Sequence, residues 1–546
     1  MGVLAQDLLP EIDVKMKKIE KNEASPLFAA LVLAVAYAMA MGFMLFRNNA
    51  NPALLTASFI DSGSLLLNYI QLLELGKFNQ SLMYHTSIYG WPGNHLTLWV
   101  LSLSGAESFQ ERAVVSRSVS FAFSLAGLVG MGVLLRSRGS RFWGATLALI
   151  FMMTWAPFVV FSYEIHPEAC GFFFGVTCLI ASSAYSKNPK LAYLYTAWGA
   201  AIFAFLSKQP FLVFLLIPVF LGVQECVKSR WSFGVCLRVA AVFLLVGVFS
   251  AALSNPYIFL DFNGFIEKQR AIHTHHLQIS NTVLYSAGKW LEIATLIDPW
   301  YAVSVVVSVF IIAISADRFL KACAWANLLF LLVLILAMKF FFIRSYLYPV
   351  LPISIVLVSE FPRLFHSKIR ALVTLFVILG LVAVLSYNAI RTAGTVVVAG
   401  RFSDSVPART MLEFSKRGDD QTVVVYSASL PLDAEKFKRA YNNFVISASS
   451  LEKQIAEIGP DLILVDRFWP YSEGMLFSRA ASNQSMAHYV VTRTSRKLNC
   501  EYQQSGPFMD CLKILIGTDG LDGIVKYDVY VKPSRLELVE GIEGLH

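Results

Sequence analysis

The chain has 546 residues, of which 56% are apolar and only 15% charged. That balance excludes an ordinary soluble domain, in which roughly 45–50% of residues are apolar and about 25% charged. The formal net charge of +8 points to basic loops on the cytoplasmic face of a membrane protein rather than to a nucleic-acid partner.

Residues 1–26 place Leu4, Leu8, Leu9, Ile12, Met16 and Ile19 on one helical face. This predicts an amphipathic helix lying on the membrane with its lysines toward anionic lipid. About 26 polar residues precede the first apolar run, and no small-residue cleavage site is evident, so a cleavable signal is not expected. Apolar runs then predict about eleven spans, near 27–46, 116–135, 142–162, 168–185, 191–206, 210–226, 235–254, 299–315, 320–338, 346–360 and 370–388. The stretch 94–104 follows Pro92-Gly93-Asn94-His95 and is too short to cross, so it is assigned to the interface. With the N-terminus inside, every second loop is then basic: Arg136/Arg138/Arg141, Lys187/Lys190, Lys228/Arg230/Arg238, Arg318/Lys321 and Arg363/Lys368/Arg370. A crossing at 94–104 would flip every later loop and lose that agreement.

This topology gathers the unusual polar residues on the other side. Asp61 follows the first span, in a loop that also carries Tyr84-His85 and Tyr89-Gly-Trp-Pro-Gly-Asn-His95. Its bland role is to cap a short interfacial helix with Ser62 and Ser64; its functional role is that of a base. Glu164-Ile-His-Pro-Glu168 puts two carboxylates and an imidazole within five residues. They could hold sugar hydroxyls or a divalent metal, or form a plain polar loop with Glu168 at a helix N-terminus. Lys208, in Ser207-Lys-Gln-Pro210, and Arg344, in Arg344-Ser-Tyr-Leu-Tyr-Pro, either snorkel to the interface or meet a phosphate. The 255–298 loop carries Asp261, Lys268, Arg270 and His273-Thr-His-His276, a set better suited to closing over substrate than to holding metal. Trp290 and Trp300 fit an interfacial belt or sugar stacking.

Beyond about residue 390 the character changes to a small soluble α/β domain. A helix is expected from Ser405 to before Gly418, a strand over Thr422–Tyr426, a helix over Ser449–Ile458 and a strand over Asp461–Asp466. No glycine-rich phosphate loop accompanies them. Cys500 and Cys511 are a candidate disulfide in an oxidising compartment, and Asn79 and Asn483 open Asn-Gln-Ser sequons on the same side.

Six motifs in order resemble the GT-C glycosyltransferases, in the branch of the protein O-mannosyltransferases and lipid A aminoarabinose transferases. They are Phe59-Ile-Asp61, Tyr89-Gly-Trp-Pro-Gly-Asn-His95, Glu111-Arg-Ala-Val-Val-Ser-Arg117, Ser207-Lys-Gln-Pro210, Asn255-Pro-Tyr257 and Arg344–Pro352. The chain departs from many relatives in having Ser62 where an acidic pair is common, and Pro92-Gly93 in place of Pro-Pro. The resemblance implies a GT-C fold over residues 27–390, with interfacial helices in the first outer loop and an extracytoplasmic domain over 391–546. It implies inverting transfer of a sugar from a polyprenyl-phosphate lipid to a glycan, lipid or protein, outside a membrane such as the bacterial inner membrane. Asp61 would be the base; His85, Glu164, His166, Glu168, Lys208, Gln209, Asp261, Arg344 and Tyr346 would bind substrate; a divalent metal stays open. The rival class is a transporter or lipid flippase, which favours internal repeats and midplane charges.

Overall fold

The structure is a computed structural model that describes residues 25–49, 66, 69, 91–107, 109–254, 259, 262–264, 266–267, 270, 298–336, 344–401, 406–419, 421–426, 437, 439–442, 451–466, 481–491 and 527–542. Among them, seven helices are long and apolar enough to cross a membrane, and four shorter apolar helices accompany them. The described helices of the bundle, two more than these eleven, are in chain order α1 (Pro26–Asn49), α2 (Trp91–Ser104), α3 (Phe109–Ser137), α4 (Phe142–Thr154), α5 (Ala156–Tyr163), α6 (Glu168–Lys187) and α7 (Leu191–Ser207). There follow α8 (Val213–Lys228), α9 (Phe233–Ser254), α10 (Pro299–Ile314), α11 (Arg318–Leu336), α12 (Leu351–Glu360) and α13 (Ser367–Arg401). Short 3-10 turns over Gln209–Leu212 and Arg344–Val350 lead into α8 and α12.

Each expected span has a helical counterpart, and α2 is the short helix assigned to the interface. One expected span is broken: the run 142–162 divides at Trp155, whose backbone is extended (φ −77°, ψ 121°). Pro157 explains the break, because proline lacks a backbone N–H and is tolerated in the first turn of a new helix but not in the interior of an old one. The last helix also runs on to Arg401, well past the apolar run that predicted it.

Lipid accounts for the outer surface of the bundle. Phe233, Leu244, Leu245 and Phe249 on α9, and Leu372, Phe376 and Leu379 on α13, are large, apolar and exposed. In water such helix faces would have to be covered; in hydrocarbon they are already in their solvent. The interior is packed instead around Tyr348, whose ring meets Phe161 edge-on at 5.3 Å, Phe172 at 5.6 Å and the stacked Trp155 at 6.0 Å. Gly171 on α6 makes room beside it, since a Cβ there would lie 2.9 Å from the ring of Phe211.

After the bundle comes a five-stranded sheet, order β2-β1-β3-β5-β4. It comprises β1 (Val423–Tyr426), β2 (Arg439–Asn442), β3 (Leu462–Asp466), β4 (Ala487–Val491) and β5 (Tyr527–Val531). Strands β2, β1 and β3 are parallel, while β5 is antiparallel to both of its neighbours, β3 and β4, with Ile463 opposite Tyr530 and Tyr489 opposite Val529. Alternate residues of a strand face opposite sides. Val424, Leu462, Leu464 and Val529 pack with Phe414 of α14 (Val406–Arg417), while Val425, Ile463 and Val465 pack with Ile455 of α15 (Leu451–Ile458). Both faces are therefore covered, which is why β1 and β3 read as unbroken apolar runs. The helices and strands expected over 405–466 lie where the sequence places them.

Candidate active site

Three chain breaks in the bundle come together at one end. The first is the turn between α5 and α6, which carries Glu164, Ile165, His166 and Pro167. All four are buried, and Glu164 has no exposed surface. Pro167 opens α6, so Glu168 occupies the first helical turn, where the helix dipole favours a carboxylate. The second is the corner after α7, where Lys208 is extended (φ −160°, ψ 139°) before Pro210 starts the Gln209–Leu212 turn. The third is the Arg344–Val350 turn, which packs against α5, α6 and the Gln209–Leu212 turn.

Two charge groups result. Glu168 is held by both oxygens: His166 Nδ1 meets Oε2 and Lys208 Nζ meets Oε1. Beside it, Arg117 of α3 pairs with Glu164, Nη2 to Oε2 3.7 Å, with side-chain exposures of 1% and 0%. These ions lie among apolar neighbours. Ile165, between the two acids, packs in a small cluster with Leu66, Tyr69, Leu101 and Ala113. Removing such charges from water costs several kcal/mol per ion, which only close pairing offsets.

Tyr69 and α2, which follow α1 in the chain, reach the same place. Tyr69 donates to Asn94 Oδ1 at 2.6 Å, and burial raises its phenol pKa well above the usual tyrosine value. Gly93 lies against Cys170 of α6, so closely that a Cβ would come within 3.1 Å of the Cys170 Cβ. Cys170 in turn accepts from Ser207 Oγ at 3.5 Å, next to Lys208. His95, one residue on from Asn94, is half-buried, and desolvation lowers its imidazole pKa to about 4. A further bond ties α1 in: Ser162 donates to the Val159 carbonyl (2.7 Å), so Tyr37 donates to Ser162 (2.6 Å).

Of the residues singled out in the sequence, Glu164, His166, Glu168, Lys208 and Gln209 are thus neighbours, and the turn bearing Arg344 and Tyr346 packs beside them. Asp61, His85 and Asp261 lie outside the described residues, as do the 1–24 segment, His273–His276, Trp290, Asn79, Cys500 and Cys511. Asn483 is exposed. Among the described residues, no three His, Cys, Asp or Glu side chains converge to hold a metal ion; His166 and Glu168 are bound to each other instead. Trp300 belongs neither to an interfacial belt nor to an open sugar platform. It is buried, and its indole donates to Asp298.

Two residues of this region escape a reading of the sequence. Arg117 closes the Glu111–Arg117 motif, where the sequence suggests no role for it; it lies more than two turns into α3 and is 1% exposed. A charge that deep in an apolar helix is the available signal. Asp298 looks like the end of a loop and is completely buried.

No family model and no curated protein matches the chain. Among solved structures it is similar to the Archaeoglobus fulgidus oligosaccharyltransferase in complex with zinc and sulfate, at 11% identity and a TM-score of 0.45, over 86% of this chain and 72% of that chain. A likeness at that level is too loose to carry a function.

Proposed function

We propose that the chain is a membrane glycosyltransferase of GT-C type, taking a sugar from a polyprenyl-phosphate lipid and passing it to an acceptor on the extracytoplasmic side. The observation that carries this reading is the buried set Arg117–Glu164 and His166–Glu168–Lys208, gathered where the first outer loop, the Ser-Lys-Gln-Pro corner and the Arg344 turn meet. Ionisable groups withdrawn from water inside an apolar bundle are costly, and their default explanation is function. The transporter reading is less well supported, because Glu164, His166, Glu168 and Lys208 sit at helix ends rather than at the middle of broken helices.

In the proposed reaction Asp61 accepts the proton of the acceptor hydroxyl or amine as that atom attacks the anomeric carbon. The bond to the lipid phosphate breaks as the new glycosidic bond forms, so configuration inverts. Arg344 offers a planar pair of N–H donors to the departing phosphate. Lys208 adds positive charge nearby, shared with Glu168, and Glu164, His166, Gln209, His85, Asp261 and Tyr346 orient the sugar or its acceptor. Preorganised charge aimed at the leaving group is the largest lever such a site has.

The test is to incubate the purified protein in proteoliposomes with a panel of radiolabelled polyprenyl-phosphate sugars. Wild-type protein is expected to consume one donor, and Asp61→Asn to consume none. Equal consumption by the variant removes Asp61 as the base; consumption of no donor by folded protein removes the transferase reading.

A further inference from the structure

The Arg344–Val350 turn is short and carries no long helix of its own, yet it must hold Arg344 to well under an ångström if that residue is to meet a phosphate. Besides Phe158, Phe161, Phe172 and Phe211, which also meet Tyr348 of this turn, it is contacted by an aromatic stack that ends in a buried carboxyl group. Tyr348, four positions after Arg344 and fully buried, stacks on Trp155 at 6.0 Å and 16°. Trp155 occupies the break between α4 and α5, its N–H donating to the Met152 carbonyl (3.3 Å) and its carbonyl accepting from the Val159 N–H (3.2 Å). Its ring is oriented by Asp298: Trp155 Nε1 donates to Asp298 Oδ1 at 2.9 Å. Trp300 Nε1 donates to the same oxygen at 3.2 Å, and the two indoles meet edge-on at 5.4 Å and 84°. One carboxylate oxygen thus joins the helix break, the start of α10 and, through the stack, the turn that bears Arg344.

We infer that Asp298 is a positioning residue: it acts through Trp155 and Tyr348 to hold the Arg344–Val350 turn in place. Its functional consequence rests on the transferase reading above, in which Arg344 meets the lipid phosphate. Its structural consequence does not. A buried carboxyl group with no exposed surface and two indole donors on one oxygen is more than packing requires, since apolar side chains would fill a core position without a polar group to satisfy.

Asp298→Ala removes the shared acceptor. Asp298→Asn keeps an Oδ1 that accepts from both indoles, and Trp155→Phe keeps the stack while cutting the tether. Hydrogen exchange in the wild-type protein and the three variants tests the geometry without any substrate. Exchange of the Arg344–Val350 amides is expected to accelerate at least about tenfold in Asp298→Ala and in Trp155→Phe. It should stay near wild type in Asp298→Asn, with α11 unchanged in all three, as a local opening requires. Unchanged exchange of the turn in Asp298→Ala or in Trp155→Phe overturns the proposal, and so does equal acceleration across α11.

Transfer assays then test the consequence. Asp298→Ala is expected to lower transfer about 100-fold, the order expected when a remote change displaces a catalytic group by an ångström. Added to Arg344→Ala, it should cost no more than about twofold, because residues that act through one another are not additive. A full additional loss in the double variant contradicts action through Arg344. A wild-type protein that transfers from no donor contradicts the transferase reading, while the exchange experiment still decides whether Asp298 positions the turn.

Discussion

The two ends of the helical bundle both carry ion pairs, and they are built differently. Arg117 of α3 and Arg138 just beyond it are about 30 Å apart at 1.5 Å per residue, so one helix samples both ends. At the Arg138 end the charges staple loops together. Arg138 bonds Asp317 (2.5 Å) and pairs with Glu360 (3.6 Å), Arg363 pairs with Glu360 (2.9 Å) and donates to the Arg138 and Gly139 carbonyls, and Arg318 pairs with Glu225 (3.3 Å). Most of these groups keep some contact with solvent: Asp317, Arg318, Glu225 and Arg363 have side-chain exposures of 29%, 29%, 25% and 34%. At the Arg117 end Arg117, Glu164, His166 and Glu168 are all at or below 2%. Basic residues of the loops thus close one end with inexpensive, wet ion pairs. At the opposite end the same residue types are withdrawn from water at a cost that packing alone does not explain.

Four sets of variants test this contrast. Glu164→Gln or Arg117→Met alone leaves a buried charge without its partner and is expected to destabilise the protein by about 3–5 kcal/mol, whereas the Met/Met double variant recovers most of that. Thermal unfolding in detergent measures the first part. Transfer measures the second, and it should stay lost in the double variant because the charges, not the volume, serve the site. A double variant that regains transfer would make the pair purely structural. Lys208→Met is next in size: Glu168 keeps His166, so stability falls less than for Glu164→Gln, while transfer falls by about 100-fold if the ammonium steadies a leaving phosphate. Tyr37→Phe removes one bond at the edge of the site and should cost about 1 kcal/mol, with donor KM unaltered. Smallest of all, Arg318→Ala at the wet end should cost at most about 1 kcal/mol and leave transfer at the wild-type rate. Transfer lost in Arg318→Ala would erase the distinction between the two ends.

The sequence already contained most of the bundle, for a simple reason. Hydropathy reports lipid contact, and nearly every helix here keeps a lipid face or lies in an apolar core. The basic loops then set the alternation on which 94–104 reads as an interfacial helix. What stayed hidden depends on pairing at a distance. The break at Trp155 needed a proline to be weighed inside an otherwise unbroken apolar run. The Arg117–Glu164 pair joins α3 to the α5–α6 turn, and no local pattern announces that contact. Strands β2, β4 and β5 were equally silent: Arg439–Asn442 and Ala487–Val491 are short and mixed in polarity, and only their pairing in the sheet makes them strands. Glu164, His166, Glu168 and Lys208 could be singled out because ionisable residues are rare beside apolar spans. Their mutual pairing could not, because it depends on how α5, α6 and α7 pack.

In the proposed reaction a sugar leaves a lipid phosphate with Asp61 as base. The most direct measurement is release of radiolabelled sugar from polyprenyl phosphate in proteoliposomes, wild type beside Asp61→Asn, with folding of both checked by thermal unfolding. The account predicts donor consumption by the wild type and none above background by the variant. Consumption at the wild-type rate by Asp61→Asn, or none by either protein with any donor of the panel, contradicts it.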